Sequence, residues 1–357
     1  MAQVLSGLRL FCRLLPHQIK MEEKIMKIMF MTLRDRVERF TDFNALPKDW
    51  EYVWAGYEKN IEKLLEMGGD ADAILADAIA PVPGELIEAM PNLKIIHSEG
   101  VGYEGVDLAA ADRKHVYVCN NRGANKRAVA EQTVMLMLMV LRRAALGHQK
   151  VLEGQQIEAK AGWSMEGIPE LGSMHVGIIG MGDIGIETAK LLHAFGCKVS
   201  YNKRYPLSPG LEEEYHVSYL SAENILKNCD IVSLHIPSNK DTFEYMDEEK
   251  FSMMKEGAIL INTARGEVVK NEALLSALRS GRLAAAGLDT LAPEPVKSDN
   301  PVVTAMKEDA GLAAKITLSP HIGGLTLQTF EKIYSTIWGN FAKVCAGETP
   351  VNVVNKP

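Results

Sequence analysis

Val176-Gly177-Ile178-Ile179-Gly180-Met181-Gly182-Asp183-Ile184-Gly185 runs a short apolar segment straight into a Gly-x-Gly-x-x-Gly turn, and residues 184–195 carry a helical pattern. Strand, glycine turn and helix in that order are the setting in which this spacing binds a dinucleotide pyrophosphate. Gly180 permits the tight turn, Gly182 lets the backbone approach phosphate, and Gly185 lets the helix lie close on the strand. The amides of Asp183 and Ile184 then point at phosphate from the helix N-terminus. An isolated turn of this kind could be a plain tight turn. Its flanks make it a nucleotide site here.

The same alternation extends to both sides. Downstream, apolar or β-branched runs recur at 198–201, 231–235, 258–262, 284–288 and 316–318. With 176–179 they make six strands, matching the parallel sheet of a dinucleotide-binding domain. Upstream, runs at 27–31, 51–55, 73–76, 94–97 and 116–119 alternate with helical stretches at 61–67, 84–90 and 106–113. Five strands at that spacing predict a small flavodoxin-like sheet. Residues 127–143 form a long helical pattern with little polar face, expected to be buried between domains or subunits. Its Met135, Met137 and Met139 do not share a helical face, so they read as core filling rather than a ligand set. A loop containing Gly162 and Trp163 is expected next.

Length and composition set the bounds. With 357 residues, 47% hydrophobic and 24% charged, the chain is sized for two domains with their own cores. A formal net charge of −7 argues against nucleic acid as a partner. No apolar run approaches the ~18 residues that span a bilayer, so no membrane partner is expected. Cys12, Cys119, Cys197, Cys229 and Cys345 form no Cys-x-x-Cys pair. That pattern fits buried thiols in a reducing, cytoplasmic compartment rather than a disulfide framework or a zinc site. Residues 1–25 hold no acid before Glu22, as targeting segments do, but Ser6 is their one hydroxyl residue and Arg9 and Arg13 break any signal core. They are read as an extension, or as a start upstream of Met21 or Met26.

An NAD site places a carboxylate about twenty residues past the turn to hold the ribose diol. Here the second strand ends Ser200-Tyr201-Asn202-Lys203-Arg204, and the next acid is Glu212. Lys203 and Arg204 would attract a 2′-phosphate, arginine as a planar clamp. They could also be two solvated surface cations. The reading taken is NADP(H) preferred, with NAD(H) possible.

Three further residues carry chemistry: Arg265 in Asn262-Thr263-Ala264-Arg265-Gly266, Glu294 in Leu291-Ala292-Pro293-Glu294-Pro295, and His321 in Ser319-Pro320-His321-Ile322-Gly323-Gly324. Arg265 follows a strand directly, at the carboxyl end of a parallel sheet where ligands bind. A guanidinium grips a carboxylate through two parallel hydrogen bonds, although it could equally cap the next helix. Imidazole titrates near neutrality and can pass a proton to and from a carbonyl oxygen. A carboxylate on its other nitrogen would orient it and raise its pKa. A dinucleotide turn followed by cation, carboxylate and imidazole is what hydride transfer to a 2-keto acid needs.

As a set these motifs resemble the D-isomer specific 2-hydroxyacid dehydrogenases, over nearly everything from Lys27 onward. The resemblance implies an α/β protein whose Rossmann-type doubly wound sheet, at 124–320, is inserted into a smaller flavodoxin-like substrate domain. That domain would comprise 26–123 and the returning tail 321–357, with a cleft between the two. The resemblance also implies a catalytic set of Arg265, Glu294 and His321, no metal, and a homodimer formed through the cofactor domains. Cofactor contacts are expected from Thr133, His235, Pro237, Thr242, Thr263, Ala264 and Gly323, with Asp289 holding the nicotinamide carboxamide. Val101 and Gly102, in Ser98-Glu99-Gly100-Val101-Gly102-Tyr103, would give backbone amides to the substrate carboxylate. Glu99 and Tyr103 depart from the pattern and leave side-chain selectivity open. Residues 296–315 are long for the family and are expected to add a surface element. Glu294 stands where formate dehydrogenases carry glutamine, which counts against that variant. The expected function is NAD(P)-dependent interconversion of a small 2-keto acid and a D-2-hydroxy acid. The alternative is a nicotinamide-sensing binding protein, like the transcriptional corepressors that share the fold.

Overall fold

The computed structural model describes residues 25–78 and 80–357, so the extension read at 1–25 lies, but for Ile25, outside the described residues. The chain divides into two compact units. One comprises residues up to Ala124 with Leu327–Pro357, and the other Asn125–Thr326, so His321 belongs to the second.

Among the described residues, the first unit has five parallel strands: β1 (Lys27–Met31), β2 (Glu51–Trp54), β3 (Ala73–Ala76), β4 (Ile95–Ser98) and β5 (Tyr117–Cys119). Their order, β2-β1-β3-β4-β5, is the flavodoxin-like one. β3 and β4 are buried along their whole length. Parallel strands covered on both faces read as continuous apolar runs, which is why the sequence marks them. Successive side chains of β1 go to opposite faces. Met29 and Met31 meet Leu64, Leu86, Ile87 and Ala110 of the crossover helices. Ile28 and Phe30 instead meet Ile333, Ile337, Trp338 and Phe341 of the C-terminal helix Leu327–Cys345.

The second unit adds β6 (His175–Ile179), β7 (Lys198–Asn202), β8 (Ser218–Tyr219), β9 (Ile231–Leu234), β10 (Ala258–Asn262), β11 (Leu283–Leu288) and β12 (Ile316–Leu318), in one parallel sheet ordered β12-β11-β10-β9-β6-β7-β8. This is the doubly wound dinucleotide-binding order with one strand more. β8 is two exposed residues at the sheet edge, too short and polar to signal itself in the sequence.

The helix Lys126–Leu141 is buried on the sheet of its own unit, through Leu136, Met137 and Val140 against Val176, Ile178 and Ile261, and other local expectations are corrected. Of its three methionines only Met137 is core; Met135 is 39% exposed and Met139 half-buried. Gly162 and Trp163 sit in a helix, Gln156–Glu166, rather than a loop; it and the preceding helix Ala144–Leu152 bury no residue. Residues 296–315 form a largely exposed element that is anchored on the core. The helices Pro301–Glu308 and Ala310–Ala313 bury Val302, Ala305 and Leu312 in the core beside β11 and β12. Among the described residues no helix is long and apolar enough to cross a membrane.

Candidate active site

The phosphate turn joins β6 to the helix Asp183–Ala194. The Gly180 amide donates to the Asn202 carbonyl at 3.0 Å, which sets the turn against the carboxyl end of β7. Gly180 has φ +104°, and a Cβ there would stand 2.5 Å from the His235 carbonyl oxygen. A Cβ on Gly185 would meet the Gly180 carbonyl oxygen at 2.5 Å, whereas one on Gly182 would meet nothing within 4 Å. Two glycines serve close packing, and the third leaves backbone open where a phosphate would approach. Gly182 is the helix N-cap and supplies no capping side chain, so a phosphate could take that role beside Asp183 and Ile184.

Lys203 and Arg204 lie exposed immediately past β7, and among the described residues neither forms an ion pair. Glu212, the next acid, accepts the Tyr201 hydroxyl at 2.6 Å. The other expected cofactor residues fall at the carboxyl edge of the same sheet. Thr133 and Thr263 share a 2.8 Å hydroxyl contact, and the Ala264 amide donates to the Asn262 side chain at 3.0 Å. His235 Nε2 meets the Ser233 hydroxyl at 2.9 Å, and burial lowers its pKa to about 4, which keeps it neutral. The Thr242 hydroxyl donates to the Pro237 carbonyl at 2.6 Å and closes that loop on itself.

Arg265, Glu294 and His321 sit in the loops after β10, β11 and β12, three adjacent strands of one sheet. Asn262 staples the first loop, donating to the Arg265 carbonyl at 2.8 Å. A Cβ on Gly266 would collide with Leu291 and Ala292, so a glycine lets the arginine loop touch the glutamate loop. The Ala292 carbonyl in turn accepts both Asn271 and Asn300 side-chain amides, at 2.8 and 2.9 Å.

Asp289 ties down the histidine loop. Its carboxylate accepts the Ser319 hydroxyl at 2.5 Å, the Gln132 side-chain amide at 3.2 Å, and the Ile322 and Gly323 backbone amides at 3.1 and 2.8 Å. Its carbonyl accepts the His321 amide at 2.9 Å. The carboxylate expected to hold a nicotinamide amide thus already carries this internal load. His321 itself has φ +53°, a left-handed conformation that persists in a non-glycine residue only where its surroundings enforce it.

Glu294 holds His321 Nδ1 at 2.8 and 3.0 Å from its two oxygens. That hydrogen bond raises the imidazole pKa above its usual value, against burial and against the nearby Arg265 charge. Among the described residues Nε2 of His321 has no hydrogen-bond partner, and Arg265 has no acid partner. The Arg265 guanidinium donates only to the Ala264 carbonyl, at 2.8 Å. It does not cap the next helix, Asn271–Arg279, whose N-cap is Lys270. The result is an imidazole whose charged form is favoured, with one nitrogen open, near a cation that has no acid partner among the described residues. It can hold a carboxylate and give a proton to an adjacent oxygen.

In the first unit the Ser98–Tyr103 turn has its carbonyls occupied. Ser98 donates to the Gly102 carbonyl at 2.5 Å, Asn120 to that of Val101 at 2.8 Å, and the Asn121 amide to that of Gly100 at 2.9 Å. Among the described residues the Val101 and Gly102 amides make no hydrogen bond. Glu99 is no pocket selector: it is 4% exposed and held by internal donors.

Gln132, Asn271 and Asn300 were missed by the sequence reading, because each acts on a distant backbone group and no local motif marks it. Among the described residues no group of three or more His, Cys, Asp or Glu is placed to hold a metal ion.

Residues 134–323 match the family model described as D-isomer specific 2-hydroxyacid dehydrogenase, NAD binding domain. The chain is 35% identical over 295 residues to the glyoxylate reductase of Thermococcus litoralis, covering 82% of this chain and 86% of that one. The solved D-mandelate dehydrogenase of Rhodotorula graminis is similar with a TM-score of 0.81 at 26% identity, over 93% of this chain and 98% of that one. The D-lactate dehydrogenase of Aquifex aeolicus, complexed with NAD and lactic acid, is similar with a TM-score of 0.76 at 26% identity, over 90% and 96%. The matched stretch spans the phosphate turn, Arg265, Glu294 and His321. The chain therefore belongs to the D-isomer specific 2-hydroxyacid dehydrogenase family, as an NAD-binding oxidoreductase that interconverts 2-keto and 2-hydroxy acids.

Proposed function

We propose that the enzyme reduces a small 2-keto acid to the D-2-hydroxy acid, with NADPH preferred over NADH. The observation that carries the reading is His321 held by Glu294 with Nε2 open, next to an arginine that has no acid. The nicotinamide supplies the hydride in this direction and accepts it in the other. Arg265 grips the substrate carboxylate and polarises the carbonyl, and His321 protonates its oxygen. Glu294 keeps the imidazole charged up to higher pH. Amides of Val101 and Gly102, in the first unit, are assigned to substrate carboxylate binding. The phosphate turn holds the pyrophosphate, and Thr133, Thr263 and Ala264 line the nicotinamide side.

Lys203 and Arg204, which form no ion pair among the described residues, support the cofactor choice, since a 2′-phosphate would gain charge-assisted hydrogen bonds from both. NADPH or NADH oxidation with glyoxylate, hydroxypyruvate, pyruvate, phenylpyruvate and 2-ketoisocaproate tests the whole reading. Glyoxylate comes first, because the Thermococcus litoralis relative bears the name glyoxylate reductase. We expect kcat/KM with NADPH to exceed that with NADH by at least ~10-fold, as one charge-assisted bond allows. Lys203→Asp with Arg204→Ala should reverse the order. Turnover of none of these acids would overturn the assignment to a small 2-keto acid.

A homodimer through the second unit is assigned to the helices Ala144–Leu152 and Gln156–Glu166. They expose Leu152, Ile157 and Met165 at 69, 70 and 89%. We assign a cytoplasmic location, which fits the buried thiols of Cys119, Cys197 and Cys229.

A further inference from the structure

A second carboxylate, outside the catalytic pair, is far more tightly held than Glu294. Glu99 stands between β4 and Gly100. A carboxylate taken this far out of water needs its oxygens filled. Arg36 Nε donates to Oε1 at 2.6 Å, and a terminal nitrogen of the same guanidinium donates to Oε2. The Thr32 hydroxyl also donates to Oε2, and the Tyr334 hydroxyl to Oε1. The terminal nitrogen of Arg36 further meets Asp77 Oδ2 at 2.6 Å, which accepts the Tyr57 hydroxyl at 2.9 Å. Thr32, Tyr57, Asp77 and Glu99 come from the carboxyl ends of β1, β2, β3 and β4. Arg36 and Tyr334 come from the helices Arg34–Phe40 and Leu327–Cys345.

Stability alone does not call for this arrangement, since a packed apolar residue usually does as well as a buried ion pair. What a two-pronged pair adds is one fixed geometry. That geometry is imposed on the residue preceding the turn whose Val101 and Gly102 amides make no hydrogen bond within the described residues. The clamp also offsets the Glu99 charge beside the place assigned to a carboxylate, with one guanidinium shared between Glu99 and Asp77.

We propose that Arg36 and Glu99 are positioning residues for the substrate carboxylate, holding the Gly100–Gly102 turn in its receiving conformation and masking the Glu99 charge. The inference rests on the assignment of that turn to the substrate. It predicts an asymmetry. Arg36→Gln strands a buried negative charge beside the turn and should raise KM for keto acids about 10- to 100-fold, the scale on which small misplacements act. Glu99→Gln should raise it less, and the double variant should recover most of the loss. Cofactor affinity should stay within about twofold throughout, because the phosphate turn and its neighbours belong to the other unit.

The test measures keto-acid KM, NADPH affinity and thermal unfolding for the wild type, both single variants and the double variant, at a temperature where all are folded. Affinity of the enzyme with cofactor for oxamate, an unreactive 2-keto-acid mimic, is measured alongside, so the clamp is tested separately from turnover. Should Arg36→Gln fail to fold, Tyr334→Phe removes one donor and should raise KM about threefold, as loss of one hydrogen bond does. Lowered melting temperatures with unchanged KM and oxamate affinity would overturn the proposal, as would failure of oxamate to bind the wild type.

Discussion

Glu294 and Glu99 each stand in a loop at the carboxyl end of a parallel strand, and each is hydrogen-bonded to a basic side chain. Glu294 and His321 are 38 and 43% exposed, and the partner is a group that titrates near neutrality. Glu99 is 4% exposed, and its main partner is a guanidinium held above even its ordinary range by Glu99 and Asp77 in spite of burial. The first pair can change protonation state with substrate in reach. The second cannot, because arginine keeps its charge at any working pH. Burial and the partner's pKa, more than the glutamate itself, separate a pair suited to proton transfer from one suited to holding shape.

The largest effect should come from His321→Gln, which removes the proton donor. We expect kcat for keto-acid reduction to fall by at least ~100-fold, the usual scale for a positioned general acid. NADPH affinity should barely change, and a near-normal kcat would move the chemistry elsewhere. Arg265→Lys comes next: an ammonium keeps the charge but loses the fork, so keto-acid KM should rise ~10-fold or more. Keto substrates lacking a carboxylate should be affected less; equal effects would remove Arg265 as the carboxylate clamp.

The smallest effect sharpens the contrast most. With His321 in its proposed role as proton donor, reduction needs the imidazolium, so activity should be lost as pH rises through the His321 pKa. Glu294 raises that pKa. In Glu294→Gln the imidazolium loses its hydrogen-bonded carboxylate, so the pKa falls and the descending limb should move to lower pH. Glu99→Gln should leave the limb where it is. A shift in both variants, or in neither, would erase the distinction between the two carboxylates.

The sheets were legible because their central strands are buried on both faces and so appear as unbroken apolar runs. Strand β8 and the helix Gln156–Glu166 were not, since neither buries a residue and periodicity had nothing to mark. Arg265, Glu294 and His321 are marked by their motifs and order, and folding places their loops after three adjacent strands. Their supports are not so marked. Gln132 reaches Asp289 across 157 residues, and Asn271 and Asn300 reach Ala292 across 21 and 8.

By itself, then, the sequence determined the alternation of strand and helix, the phosphate turn and the three chemical groups, because these depend on local periodicity and residue type. Tertiary structure decided what those groups can do. Folding brought three successive loops to one edge of the sheet, occupied Asp289 with the histidine loop, and left His321 Nε2 open and Arg265 without an acid. It also turned Glu99, adjacent in sequence to the expected substrate loop, inward onto Arg36. Charge, burial and hydrogen-bond partners at these sites are set by residues far apart in the chain, and no local pattern carries them.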